Sequence, residues 1–435
     1  MEKYSKYKDS GVEFVDKIPM NWSVSRLKNL GFLQNGISKG KEYFGSGFPF
    51  VSYGNVYNDS IELEKINSLA NSTKEEQKLY SVLEGDIFFT RTSETIDEIG
   101  ISSTSMRTIP KATFSGFVIR LRPKKNIIYK SFAKYFFKGN LNRQFLAKEI
   151  NIVTRASLSQ GILNNLPVLL PSIEEQTQIA NYLDAKTTAI DKKVTLLEQK
   201  IKHYKTYRKM VINETVTKGL DKTVKFKDSG VNWIGEIPNH WKIKRLKDLS
   251  TISTGNKNSE DFDLDGAYAF FVRSPEIKRI NSYSFNEEAV LTAGDGDVGK
   301  VFHYIKGKFD VHQRVYCIRQ FKKDLKAKYL YYYMYSKFYN QAMINNSNSI
   351  VNSIRLPLLR NLEIPISKHN EEQQQIANYL DTKTTTIDKI VNNIEAQITM
   401  LKELRKTLIN EVVTGKVKVT STSLSHQKAS NQPIV

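Results

Sequence analysis

Two stretches of this chain are written twice. Residues 7–30 (YKDSGVEFVDKIPMNWSVSRLKNL) and 226–249 (FKDSGVNWIGEIPNHWKIKRLKDL) agree at 12 of 24 positions, at a constant offset of 219. Residues 174–192 (EEQTQIANYLDAKTTAIDK) and 371–389 (EEQQQIANYLDTKTTTIDK) agree at 16 of 19, at an offset of 197. The offsets differ by 22, so the second copy is 22 residues shorter between its frames. Those middles do not align, apart from an echo of Val82–Asp86 in Val290–Asp295. Near-identical frames around unlike inserts argue for one mounting, made twice, that carries two different heads.

Bulk properties fit that division. A chain of 435 residues, 40% hydrophobic, can bury more than one core. Its net charge of +20 exceeds what solubility needs and attracts polyanions, nucleic acid before anionic membrane. The single cysteine, Cys317, excludes an internal disulfide framework and any multi-thiolate metal site. The start, MEKYSKYKDSG, has no signal-like apolar stretch, and no apolar run approaches membrane-spanning length. The expectation is a soluble, cytoplasmic protein with no membrane partner.

The clearest periodicity follows each second frame. Ala180, Leu183, Thr187, Ile190, Val194, Leu197, Ile201, Tyr204, Arg208 and Val211 alternate steps of three and four, the seam of a two-stranded helical pair. Adding 197 gives Ala377, Leu380, Thr384, Ile387, Val391, Ile394, Ile398, Leu401, Arg405 and Leu408 in the same register. Ser172 with Glu175 and Asn370 with Gln373 read as capping boxes, and Gly219 and Gly415 as helix stops. Each helix is then roughly 40 residues, about 60 Å long. Two equal seams in one chain satisfy each other most simply as an antiparallel pair; docking on another subunit is the alternative. Between Lys192 and Lys209 seven basic residues face one acid, Glu198, which reads as a solvated face or a phosphate contact.

The middles read as compact α/β domains. Strand-like runs fall at residues 48–53, 86–90, 117–121, 298–305 and 314–318, and aromatic helices at 132–137 and 329–339. The tyrosines from Tyr329 to Tyr335 fit a helix half-buried on a sheet, with base stacking as the alternative. The expected architecture is a mixed α/β fold: two α/β domains separated by two long antiparallel coiled-coil helices, with a pseudo-twofold internal repeat. Boundaries fall at 1–170 for the first head, 171–219 for the central helix, 220–364 for the second head and 365–416 for the C-terminal helix. Residues 417–435, polar and patternless, read as a disordered tail.

Catalytic signatures are missing. No Gly-Lys pair is followed by Ser or Thr, so no phosphate-binding loop is indicated, and no two prolines adjoin as in the loop with which amino-methyltransferases hold a flipped base. The six histidines include no pair at metal-ligand spacing; His303 and His312 read as lying on successive strands. Asp261, Asp263 and Asp265 with Glu276 and Lys278 form an acidic loop rather than a nuclease centre. The polar loops suit DNA instead, since Arg and Lys read guanine, Asn and Gln read adenine, and Ser and Thr hold phosphate. In the first middle the candidates are Asn35, Ser38, Lys39, Lys41, Tyr53, Asn55, Arg91, Thr92, Ser93, Thr154, Arg155 and Ser157. In the second they are Thr254, Asn256, Lys257, Arg273, Lys300, His312, Gln313 and Arg314.

These residues carry a resemblance. Lys-Asp-Ser-Gly-Val with Ile18-Pro19, Trp22 and Arg26-Leu27-Lys28, repeated at Ile237-Pro238, Trp241 and Arg245-Leu246-Lys247, resembles the DNA-sequence specificity subunit of type I restriction-modification systems. So do residues 166–171, residues 179–184 with their repeat from Ile376, Arg91–Glu94 with Phe114–Phe117, and Gly294-Asp295 leading into Gly299–Val301 and Phe309–Arg314. The likeness runs to about residue 416. It implies a chain without catalysis of its own, in a phage-defence complex. Two target-recognition domains would each read one half of a split, asymmetric sequence on double-stranded DNA. The paired helices would be spacer and docking platform for two modification subunits, which use S-adenosylmethionine to methylate adenine, alongside two ATP-driven restriction subunits. S-adenosylmethionine, ATP and Mg would all be used through those partners, with no cofactor in this chain. The rival readings are a self-contained DNA nuclease or methyltransferase and a structural coiled-coil adaptor.

Overall fold

The computed structural model describes residues 2–420 except 94, 96, 97, 151–155, 297, 298 and 345–352. The chain forms two compact units, one from residues up to Leu196 together with those from Gln397 onward, the other from Leu197–Ala396. Each unit therefore holds one head and half of each long helix.

The repeated frames build the same mount in both units. In the first, Tyr7–Val12 pairs antiparallel with Val15–Pro19, and Ser23–Arg26 with Pro167–Leu170. In the second, Phe226–Asp228 pairs with Glu236–Pro238, and Lys242–Arg245 with Glu363–Ile366. The Asp-Ser-Gly motif is the hairpin turn: Gly11 and Gly230 have φ of 66° and 75°, and each donates its N–H to the preceding aspartate, Asp9 at 2.8 Å and Asp228 at 2.9 Å. Trp22 and Trp241 are fully buried in their respective cores.

Between the frames, inserts without sequence similarity share a scaffold. The first head orders its main sheet Gly31–Asn35, Val118–Pro123, Ile87–Thr90, Ser102–Ser105, Ser60–Ile61. The second orders Thr251–Thr254, Val315–Arg319, Phe285–Ala293, Phe302–Val311, Tyr268–Phe271, and adds Ile277–Ile280 at the edge. In both, the first three pairings are antiparallel and the fourth is parallel. The heads differ in elaboration. The first adds a three-stranded sheet of Thr113–Phe114, Phe44–Val51 and Leu69–Ala70, whereas the second extends its central hairpin to strands of nine and ten residues.

The long helices span Ile173–Lys218 and Asn370–Val413 and end where Gly219 and Gly415 adopt φ of 71° and 74°. Their pairing is antiparallel: in the second unit Lys205 meets Glu395 at 3.6 Å and Arg208 meets Asp388 at 3.1 Å, one number rising as the other falls. The first unit holds the equivalent of the second bridge, Arg405 to Asp191 at 3.0 Å. The seam is as the spacing predicts: Leu183, Val194, Leu380, Ile387, Val391, Ile394 and Ile398 are buried, and Ile190, Leu197, Ile201 and Leu401 half-buried. Residues 417–420, expected in a disordered tail, are instead ordered, with Val419 buried and Lys418 bridged to Glu2.

Each head is bolted to its helices by two side chains that recur at an offset of 197. Gln176, fully buried, accepts from the Tyr129 N–H at 2.8 Å and donates to Pro171 and Ile127 carbonyls. Gln373 accepts from the Lys326 N–H at 3.0 Å and donates to the Asp324 carbonyl at 2.9 Å. Gln373 is thereby lost to the expected capping box with Asn370, which lies inside the helix rather than before it. At the start of the first long helix Ser172 does accept from the Glu175 N–H, but the Glu175 carboxylate turns to Tyr4 and Asn21. The second bolt is a tyrosine: Tyr135 hydroxyl donates to Asp184 at 2.6 Å beside Thr187, and Tyr332 to Asp381 at 2.7 Å beside Thr384. The tyrosine-rich helix Ala327–Ile344 thus packs as a half-buried helix, with Tyr329 and Tyr333 buried and their hydroxyls on backbone carbonyls.

Candidate nucleic-acid interface

Three loops that are distant in sequence meet at one end of each sheet, locked by the same backbone bonds. In the first head Ile37 donates to Phe114 at 2.8 Å, Gly116 to Ile37 at 2.7 Å and Arg91 to Phe117 at 3.0 Å. In the second Lys257 donates to Val311 at 3.5 Å, Gln313 to Lys257 at 2.9 Å and Gly294 to Arg314 at 2.8 Å. Gly36 and Gly255 permit the approach, since a Cβ would stand 2.3 Å from the Phe114 carbonyl oxygen and 1.7 Å from that of Val311. The tip turn is also shared: Ser115 Oγ accepts from the Phe117 N–H at 3.2 Å, and His312 Nδ1 accepts from the Arg314 N–H at 3.0 Å.

Most of the residues singled out by sequence lie on these loops. In the first head Asn35 ends its strand and accepts from Gln160 at 3.1 Å. Ser38, Lys39 and Lys41 are exposed in the following loop, Lys39 near Glu76 at 3.8 Å. Arg91 is half-buried and its guanidinium donates to the Gly116 carbonyl at 3.3 Å. Thr92 and Ser93 pair with Ser157 and Ala156. Tyr53 is half-buried, its hydroxyl 3.1 Å from that of Tyr57. Thr154 and Arg155 lie outside the described residues.

Two of these first-head side chains are committed to the fold and give up a reading role. Asn55 is buried, its amide donating to the Lys65 carbonyl at 2.8 Å while its oxygen accepts from the Ser52 N–H at 2.9 Å. Ser93 is buried and donates to Glu98 at 2.7 Å.

In the second head Thr254 and Asn256 are exposed and Lys257 half-buried on the first loop, and Gln313 is exposed, donating to Asn258 at 2.7 Å. Asp295 gathers two of the remaining candidates, with Arg314 at 2.8 Å and Arg273 at 3.1 Å. Burial would raise the Asp295 carboxyl, but hydrogen bonds and charge from the two guanidiniums outweigh it and hold the group below the usual carboxylate range. Arg314 remains 62% exposed, so it is oriented from one side and open on the other. Lys300 is placed differently: it lines a cleft of 520 Å³ with Lys209, Asn213 and Tyr339.

His312 is a correction to the expected reader set, because it is 3% exposed and points inward. Burial, with Arg273 and Arg314 nearby, lowers its pKa against the opposing pull of Asp295 and Asp261. The neutral imidazole is the form whose Nδ1 can accept the Arg314 N–H. His303 packs on Phe271 with ring centroids 5.0 Å apart, and its Nε2 lies 3.2 Å from the Ser274 carbonyl. No cluster of three potential metal ligands occurs among the described residues.

A family model described as the type I restriction modification DNA specificity domain matches residues 19–203 and 238–400, most of the chain. The chain belongs to that family. Its two matched segments reproduce the internal duplication. The protein is similar to the putative type I restriction enzyme MjaX specificity subunit of Methanocaldococcus jannaschii, at 24% identity over 93% of this chain and 96% of that one. The type I restriction enzyme EcoDI specificity subunit of Escherichia coli is 28% identical over 42% of this chain and 40% of its own. Among solved structures, a chain from work on complex assembly and conformational transition of the type I R-M system has a TM-score of 0.70 at 15% identity. It covers 92% of this protein and 99% of itself, and supports the fold. As a type I specificity subunit the protein is a DNA-recognition component, not a catalyst. No helix among the described residues is long and apolar enough to cross a membrane.

Sequence reasoning gives Ser115, Phe117 and Asp295 only as part of family-like segments and does not count them, or Gln160, among the candidate readers. The available signal was Gly36, which recurs as Gly255 at the frame offset of 219 and marks the crossing point of the loops.

Proposed function

We propose that each three-loop junction reads one half of a bipartite, asymmetric site on double-stranded DNA. One observation carries the reading: backbone hydrogen bonds of the same pattern present different side chains in the two heads, Phe117 in one and Arg314 in the other. One frame made twice with unlike tips is what two unlike half-sites require. Lys and Arg supply affinity for phosphate, and a chain of net charge +20 has them in excess. Two modification subunits dock on the repeated helices, one for each copy, and methylate an adenine in each half-site; two restriction subunits join them. S-adenosylmethionine, ATP and Mg belong to those partners, and the assembly works in the cytoplasm in phage defence. Mapping methylated adenines genome-wide with and without this chain tests the reading. The expected result is a single split motif that disappears with the chain; methylation unchanged by its loss refutes it.

A further inference from the structure

Phe117 has no charge, no donor and no partner ring among the described aromatic contacts, yet it stands 63% exposed in a polar loop cluster of a basic protein. Its backbone is fixed on both sides. The N–H is bound by Ser115 Oγ at 3.2 Å, and the carbonyl accepts from Arg91 at 3.0 Å. The residue before it, Gly116, is pinned as well: its N–H reaches Ile37 at 2.7 Å, its carbonyl receives Arg91 Nη1 at 3.3 Å, and a Cβ would stand 2.0 Å from Ser38 Oγ. The loop therefore holds one apolar side chain outward in a set position. In the second head the same place in the same turn carries Arg314, itself 62% exposed.

Resting on the functional reading above, we infer that Phe117 is a specificity-determining residue of the first head that packs on the 5-methyl group of a thymine in the major groove. An Arg at this tip suits guanine, with its two acceptors; an aromatic ring offers no hydrogen bond but suits the one apolar feature a base edge presents, the thymine methyl. The two heads then differ at equivalent positions by the chemistry of the base they select.

Uracil, which lacks only that methyl, provides the test. The complex with its modification subunits is titrated with duplexes carrying the mapped site, each thymine of the half-site insensitive to Arg314→Ala being replaced in turn. Wild type should lose about fourfold affinity at one position, the worth of one methyl group taken out of water. Phe117→Ala should bind the all-thymine site about as weakly as wild type binds that uracil duplex, and show no further loss on it. Phe117→Leu, still apolar, should retain part of the discrimination. Because the side chain is exposed, denaturation midpoints of the variants should match wild type. Uracil without effect in wild type, or with an effect that persists in Phe117→Ala, overturns the inference while leaving the functional reading intact. A wild-type complex that binds unrelated DNA equally well overturns both.

Discussion

At the scale of single residues, the informative comparison is between positions that do the same job in the two heads. Ser115 and His312 both accept the N–H two residues on, so the turn needs an acceptor and tolerates either a hydroxyl or a neutral imidazole. The imidazole brings a pH dependence that the hydroxyl lacks. Burial lowers the His312 pKa below its unfolded value of about 6.5, so its contribution to stability is present above that pH and is lost as pH falls below it. His303, also lowered by burial, acts in the same direction in the same unit. Thermal melts between pH 7.5 and 5 should therefore show acid destabilisation of the second unit, reduced but not abolished by His312→Ser; an unchanged acid limb would remove His312 from the account. Arg314 beside it gives a second expectation. If it reads guanine, Arg314→Ala costs about 1–3 kcal/mol and relaxes one position of one half-site. A methylation motif that stays strict at every position would refute the assignment. Asp295→Asn, which leaves the guanidinium but loosens its anchor, should weaken the same position less.

At the scale of elements, the long helices and the α/β character of the heads are legible in the sequence and the strand order is not, for a physical reason. A heptad seam repeats one requirement every three or four residues, so Leu183, Val194 and Ile387 declare themselves through spacing. A mixed sheet asks only for short apolar runs, which many topologies satisfy, and its order is set by contacts between distant segments. That is why the five-strand scaffold shared by both heads leaves no trace in the sequence: even the echo of Val82–Asp86 in Val290–Asp295 is out of register, since Asp86 precedes Ile87–Thr90 whereas Asp295 follows the equivalent strand Phe285–Ala293. Asn55 and His312 were misread for a related reason: polarity marks a residue as able to meet DNA, but cannot say that its own backbone neighbours have already claimed it. The bolts Gln176 and Gln373 lie inside the closest repeat, where spacing alone offers Gln373 as a capping partner of Asn370 and gives Gln176 no role. The difference between apolar and charged positions of the seam ranks two mutations. Leu380, fully buried, should cost about 2–5 kcal/mol on truncation to Ala. Arg208→Ala removes an ion pair whose aspartate is 54% exposed, so about 1 kcal/mol or less is expected. Urea unfolding of the two variants checks the ranking, and a larger loss for Arg208→Ala would mean that the charged seam positions, not the apolar ones, hold the helices together.

At the scale of the whole molecule, the repeat makes the helix contacts reciprocal. Arg208 meets Asp388 and Arg405 meets Asp191, the same two residues of the repeat with their roles exchanged. A partner surface made once is then made twice, which is the basis for expecting two modification subunits. If the helices also set the distance between half-sites, lengthening them should change the unread gap and nothing else. The insertion must respect the seam: four residues, one turn, would shift every later seam position out of register, whereas seven preserve the alternation of three and four. Seven residues added after Leu197 and another seven after Ile394 lengthen each helix by about 10 Å at 1.5 Å per residue, close to three base pairs at 3.4 Å. Both helices must be changed together, because an insertion in one alone would slide Arg208 away from Asp388. The expected product is an assembly that methylates the same two half-sites across a different gap, read by sequencing methylated adenines in cells carrying the lengthened chain. Retention of the original gap would mean that the spacing is set by the modification subunits rather than by this protein.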